Sequence, residues 1–348
     1  MEFSLFFFAD SGATGADGYR LLLESARFAD SAGLAAVWTP ERHFHTFGGL
    51  YPNPAVTGAA VAAVTERVGV RAGSVVAPLH HPVRIAEEWS VVDNLSRGRA
   101  GVSFASGWHA RDFVLRPDTY ADRKNAMVET VETVRRLWRG EEIEFPDGAG
   151  EKRRVRIHPP PVQPELPVWI TSAGSTDTFR AAGRLNANLL THLLGQDRDT
   201  LAKNITAYRE ALTETHGETA HGHVTLMLHT MLGEDRDQVR HQVRPPFADY
   251  LRSSADLILK AATTLLPPGV DIDRLPDRDK QYLINHAVDR YLTTSGLFGT
   301  VTDGLETVKS LKAIGVDEIA CLIDFGVPPD EVLHSLPYIA DLKTRTTG

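Results

Sequence analysis

A single (β/α)8 barrel is the fold the sequence predicts, on three observations. Eight short apolar runs recur along the 348 residues, helical periodicities fill the gaps between them, and no glycine-rich nucleotide fingerprint follows the first run. The runs are FSLFFFAD (3–10), AAVWTP (35–40), VGVRAGSVVAP (68–78), AGVSFASG (100–107), PVWITSAG (167–174), ANLLTHLLG (187–195), VTLMLHTML (224–232) and EIACLIDFG (318–326). Most are continuous rather than alternating, as expected of parallel strands buried on both faces.

Between them, Ile85, Trp89 and Val92 follow Pro82 at helical spacing, Met127, Val131, Val134 and Trp138 repeat it, and Leu201, Ile205, Tyr208 and Leu212 do so again. The rival, a doubly wound sheet, would carry GxGxxG after its first strand or GxxxxGK[ST] elsewhere, and neither occurs. The chain therefore reads as one domain, 1–348, with two interruptions. The charged, proline-rich segment 141–166 predicts a hairpin before the fifth strand. Residues 253–303 predict a larger insertion between the seventh and eighth, with helical stretches Ala255–Leu266 and Gln281–Leu292, placed where barrels carry lids.

Composition narrows the function classes. Apolar residues make up 42% and charged residues 24%, ordinary for a soluble globular protein. A net charge of −8 without a Lys/Arg block argues against a nucleic-acid partner. One cysteine, Cys321, allows neither an intramolecular disulfide nor a cysteine-rich zinc site and agrees with a cytoplasmic location. The N-terminus MEFSLFFFAD has no basic region before its short apolar run, so neither a signal peptide nor a membrane partner is expected.

In such a barrel the chemistry gathers at the C-terminal strand ends. There the sequence places Asp10, then Glu41, Arg42, His43 and His45, then Ser74, then Ser106, Trp108 and His109, then Ser172, Ser175 and Thr176, and finally His192, His229 and Asp324. His43-Phe44-His45 could be a metal pair, an acid–base pair or pocket lining. A metal-dependent amidohydrolase barrel would want HxH on the first strand, a lysine on the fourth and a histidine on the fifth. Here HFH follows the second strand and the other two residues are missing, so no metal site is expected.

The loop Ala173-Gly174-Ser175-Thr176-Asp177 ends a strand and opens a helix. It can cradle a phosphate or serve as an ordinary N-cap, and the residues alone leave both open. Gly73-Ser74 interrupts a β-branched strand, which suits either tight packing or close approach of a ligand to the backbone.

The motifs ERHFHTFGGLYPNP, VVAPLHHPVR, DNLSRGR, GVSFASGWH, TSAGS, THLLG and GVDEI, in this order, resemble the bacterial luciferase-like flavin monooxygenases over essentially the whole chain. The nearest likeness is to the subgroup associated with nonribosomal peptide and polyketide biosynthesis. The resemblance implies a TIM barrel and reduced FMN (FMNH2) delivered by a separate flavin reductase. With O2 it would form a flavin C4a-peroxide that oxygenates a small or carrier-tethered secondary-metabolite intermediate. It implies a non-prolyl cis peptide at Gly73-Ser74 beneath the flavin ring, a phosphate loop at Ser172, Gly174, Ser175 and Thr176, and flavin lining at Ser106, Gly107 and Trp108. A homodimer is implied as well.

One position departs from the luciferase pattern. Luciferases proper carry two adjacent histidines after the glutamate, and Arg42 stands where the first would be. A guanidinium is not a base, so Arg42 points to an anionic substrate group or a salt bridge to Glu41. His43, His45 and His192 are left as candidates for moving protons or binding substrate. The other readings of the same fold are a deazaflavin (F420)-dependent hydride-transfer enzyme and a non-catalytic flavin-binding subunit.

Overall fold

The computed structural model describes residues 1–8, 17–44, 49–252 and 275–347. Asp10, His45 and the expected helix Ala255–Leu266 fall outside them.

The barrel is built from β1 (Glu2–Phe6), β2 (Ala36–Thr39), β3 (Gly69–Val76) and β4 (Ala100–Ala105), separated by α1 (Arg20–Ser31), α2 (Pro54–Ala63) and α3 (Pro82–Ser96). After β4 come α4 (Arg123–Trp138) and an antiparallel hairpin of β5 (Ile143–Pro146) and β6 (Lys152–Val155), within the segment the proline-rich composition marks out. The barrel continues with β7 (Val168–Ser172), α5 (Thr176–Arg184), β8 (Asn188–His192), α6 (Arg198–His216) and β9 (Val224–Leu232). Then follow α7 (Arg236–Arg252), α8 (Asp277–Arg290), a short β10 (Leu297–Gly299), α9 (Val301–Ala313), β11 (Glu318–Leu322) and α10 (Pro329–Thr347).

Eight strands pair in parallel in the order β1-β2-β3-β4-β7-β8-β9-β11, and β11 returns to β1, closing the barrel. β10 adds a parallel extension to β9 outside the ring, pairing Leu297 with Thr230. All nine residues of β9 and all five of β11 are buried, the physical counterpart of their unbroken apolar sequences. The helical stripes behave likewise: Leu201, Ile205, Tyr208 and Leu212 of α6 and Met127, Val131, Val134 and Trp138 of α4 all face the core. Pro82 occupies the first turn of α3, where its missing N–H costs no helical bond.

The N-terminal end of the barrel is closed by a charged knot. Glu318, fully buried, takes Arg71 Nη1 at 2.9 Å and His223 Nε2 at 2.9 Å. The Arg71 guanidinium lies over the rings of Trp38 and Trp169. The opposite end is left open for a site.

Candidate active site

At the C-terminal strand ends lies a largely apolar cavity of about 410 Å³. Of the residues expected there, Arg42, Gly73, Ser74, Ser106, Gly107, Trp108, Ser172, Ser175 and His192 line it. His43 and Gly174 are in neighbouring loops and Thr176 opens α5, and none of the three lines it.

Glu41 organises the wall between β2 and β3. Its carboxylate has no exposed surface and accepts from the Val76 N–H at 2.7 Å. The Nε2 atoms of His43 and His80 lie 2.8 and 2.6 Å from its Oε1. Burial works against its charge, but the bonds to His43 and His80, the attraction of His80 and the Val76 N–H outweigh it and hold the carboxyl below its usual range. Burial also opposes charge on His80, yet the hydrogen bond and attraction to Glu41 prevail and raise its pKa. His43 thus has its Nε2 engaged with Glu41 rather than turned to the cavity. His80, the histidine sequence reasoning passed over, shares that carboxylate.

Arg42 is nearly buried, its guanidinium 4.9 Å from the Phe8 ring centroid and 5.4 Å from that of Trp108. Burial pulls its pKa down while Tyr250 and Asp112 push the other way. The guanidinium is held by aromatic faces, a setting suited to a planar or anionic group beside it. The salt bridge to Glu41 is not formed, since that carboxylate is occupied by the two histidines and Val76.

On the floor, the Gly73–Ser74 peptide is cis. A Cβ on Gly73 would lie 2.5 Å from Cε2 of Phe6, so only glycine lets β3 run this close beneath the cavity. Ser74 Oγ is 2.5 Å from Thr171 Oγ1, which is 2.6 Å from Ser103 Oγ, so three hydroxyls form a chain across β3, β4 and β7.

The β7–α5 loop carries the serine and threonine that the sequence offers as either cap or cradle. Ser175 is the N-cap residue of α5, but its side chain makes no capping hydrogen bond, and it lines the cavity. The Thr178 and Phe179 N–H groups bond the Ser175 carbonyl, while those of Thr176 and Asp177 have no partner among the described residues, the ordinary condition of a helix start that can receive an anion. Thr176 is spent elsewhere: its Oγ1 bonds Asn204 Oδ1 at 2.7 Å, and Asn204 also donates to the Gly174 carbonyl at 3.2 Å. Gly174, with φ +115°, is in the left-handed region where a side chain would be strained. The buried Asn204 braces the loop, and Gln196, which donates to Thr191 Oγ1 and the His192 carbonyl, braces Asn204 in turn. Lys124 of α4 adds an ammonium to the lining, with no ion pair among the described residues.

The far wall comes from β9, α7 and the turn after α8. His229 sits there with its ring centroid 4.9–5.7 Å from Phe247, Tyr250, Tyr291 and Phe325. Its Nε2 and the Tyr291 hydroxyl are buried without partners among the described residues. Burial, helped by nearby His192, pushes the His229 pKa down to about 3, so this imidazole is neutral at ordinary pH. His192 Nδ1 accepts from the Leu194 N–H at 3.1 Å.

Among the described residues, the one trio spaced like metal ligands, Glu2, His223 and Glu318, belongs to the opposite end of the barrel. No described helix is long and apolar enough to cross a membrane.

Residues 1–318 match the family model of the luciferase-like monooxygenases. Over 339 residues the chain is 23% identical to the oxygenase component of the flavin-dependent trigonelline monooxygenase of Acinetobacter baylyi, covering 94% of this chain and 90% of that one. Its fold superposes on monooxygenase RslO1 from Streptomyces bottropensis with TM-score 0.80, 22% identity and full coverage of both chains. It also superposes on the oxygenating constituent of 3,6-diketocamphane monooxygenase of Pseudomonas putida, solved with FMN, with TM-score 0.76, 16% identity and coverage of 98% and 96%. An F420-dependent secondary alcohol dehydrogenase shares the fold at TM-score 0.68, 17% identity and coverage of 97% and 99%. At these identities the solved structures speak to the fold alone.

Proposed function

The chain belongs to the luciferase-like monooxygenase family, and from that premise we propose that it binds reduced FMN and uses O2 to oxygenate a small organic substrate in the cavity at the C-terminal barrel end. The family is one of flavin-dependent monooxygenases. The observation that carries the finer reading is the β7–α5 loop. Ser175, an N-cap serine with no capping hydrogen bond, and Lys124, with no ion pair among the described residues, both line the apolar cavity, and α5 begins beside Ser175. That is a donor set for a phosphate joined to a flat apolar ring.

Bound there, reduced FMN would supply the electrons that activate O2 for insertion into substrate. Ser175 and the α5 N–H groups would hold the phosphate, with Lys124 adding charge. The Gly73-Ser74 backbone and Phe6 would support the ring, and Ser106, Gly107 and Trp108 would close its edge. Arg42, between Phe8 and Trp108, and the neutral His229 would orient substrate, and the aromatic wall would keep bulk water from the reacting centre.

Delivery of reduced flavin by a separate reductase is supported by the word component in the relative's name. A secondary-metabolite substrate, a homodimer and a cytoplasmic location rest on the sequence resemblance and composition, and complete the proposal.

The test is an anaerobic titration of the protein with photoreduced FMN and, separately, with reduced F420, followed by flavin fluorescence. Micromolar or tighter binding of reduced FMN, weakened by Ser175→Ala, is expected. Preference for F420, or no binding of either, would overturn the proposal in favour of hydride transfer or a non-catalytic role respectively.

A further inference from the structure

Outside the barrel mouth, α6, α7, β10 and α9 enclose a second cavity of about 330 Å³ that shares no lining residue with the first. Its walls are polar where those of the first are apolar, and three arginines, Arg198, Arg236 and Arg240, contribute to them. Among the described residues only Arg236 is matched to an acid, through Asp303, which also closes the capping box of α9. Arg198 donates to Ser310 Oγ at 2.9 Å and has no carboxylate partner among the described residues. Burial lowers its pKa with no acidic neighbour to offset it. Arg240 has no hydrogen-bond or ion-pair partner among the described residues, and the Nε atoms of both arginines are buried and unsatisfied. Glu306 is the remaining acid of the lining; it is exposed and acts on Arg236.

A half-buried guanidinium without an anion forfeits hydration and gains nothing in return. Two such groups, Arg198 at the start of α6 and Arg240 on α7, line one chamber with the Thr307 hydroxyl; Ser310 Oγ already donates to the Thr307 carbonyl and Asp303 is held by Arg236, so guanidinium donors exceed the acceptors left for them. An apolar ligand would leave those donors unpaired, and a cation would be repelled. We propose that this chamber is a second ligand site, binding a phosphate group, either free or carried on a small phosphomonoester, through Arg198 and Arg240. The site is independent of the flavin reading, since none of its residues takes part in the first cavity.

Isothermal titration with inorganic phosphate, glycerol 3-phosphate and, at equal ionic strength, chloride tests it. One phosphate per chain that depends on the two arginines is expected, beyond any chloride response and beyond any phosphate held at the β7–α5 loop. Tighter binding of glycerol 3-phosphate than of inorganic phosphate would assign the site to a phosphomonoester, and the reverse order to free phosphate. Arg198→Gln combined with Arg240→Gln should weaken this binding at least tenfold, and Arg198→Lys with Arg240→Lys should retain part of it. Protection of Arg198 and Arg240 from phenylglyoxal by phosphate, read by mass spectrometry on the unaltered chain, is expected whether or not the double variant folds. A response no greater than chloride's, unchanged affinity in the glutamine pair, or no arginine protection would each overturn the proposal.

Discussion

The Nε2 of His80 lies 2.6 Å from Oε1 of Glu41, and the carboxylate it meets has no exposed surface. Through this contact the ends of β2 and β3 are held by charge rather than by packing alone, directly beside Arg42. The pair also sets a pH signature. The His80 pKa is raised above its ordinary 6.5, so its contribution is complete below that value and is lost as pH rises through the raised one. The Glu41 pKa is lowered below 4.5, so its contribution is present above 4.5 and is lost as pH falls through the depressed value. His80→Gln should therefore cost most between pH 4.5 and 6.5, by about 1.5–3 kcal/mol, the range for a hydrogen bond to a charged group. The deficit should shrink toward alkaline pH. Urea unfolding across pH measures it; a deficit that does not vary with pH would refute the ion pair.

Gly73 and Phe6 make the second prediction. A methyl group on Gly73 would sit 2.5 and 2.8 Å from two carbons of the Phe6 ring. Phe6 is itself nearly buried and stacked on Trp38 at 6.2 Å, so it has little room to withdraw. Gly73→Ala should cost about 1–3 kcal/mol by overpacking and, because both residues line the cavity, weaken reduced-FMN binding as well. A variant with wild-type stability and affinity would show that the floor yields easily.

Neighbouring hydroxyls in the β7–α5 loop should behave oppositely. Ser175 makes no cap bond, so Ser175→Ala should leave stability within about 0.5 kcal/mol, unlike an ordinary N-cap truncation, yet weaken reduced-FMN affinity about tenfold. Thr176 is bonded to Asn204, so Thr176→Val should lower stability by about 1 kcal/mol and affect affinity only through loop position. Thermal unfolding and anaerobic titration on both variants separate the two roles. Equal losses of affinity would mean that both hydroxyls reach the ligand.

Those roles mark where sequence stops being informative. All eight barrel strands could be read off because a parallel strand buried on two faces must be apolar along its length, and the runs at 224–232 and 318–326 display it. The helix faces of α4 and α6 were legible for the same reason. At the candidate site, Gly73-Ser74 stood out as a break in a β-branched strand and Ser175 as part of a strand-to-helix loop, and the resemblance then tied them to a flavin, but the direction of a side chain was in neither. Glu41 and His80 are 39 positions apart and Thr176 and Asn204 are 28 apart, with no periodicity linking either pair. His229 was visible as a polar residue at a strand end. Its aromatic cage draws on α7, the turn after α8 and the loop after β11, which only the closed barrel brings together.

That cage carries the last prediction, opposite in sign to the first. His229 is held neutral with its pKa lowered to about 3, so below its ordinary 6.5 the unfolded chain takes up a proton that the folded chain refuses. Its contribution is present above pH 6.5 and is lost as pH falls toward 3. The slope is about 1.4 kcal/mol per pH unit, so a drop from about pH 6.5 to 5 should cost about 2 kcal/mol. His229→Phe keeps the shape, removes the buried unpaired Nε2 and cannot titrate. It should therefore remove that acid-side slope while leaving neutral-pH stability equal or higher. Over the same interval His80 and Glu41 keep their ion pair, so they cannot mask the effect. Chemical denaturation of wild type and variant at several pH values between 5 and 7 decides the matter. Parallel curves would mean that the imidazole takes up a proton inside its cage, and the neutral wall assigned to the substrate side of the cavity would have to be abandoned.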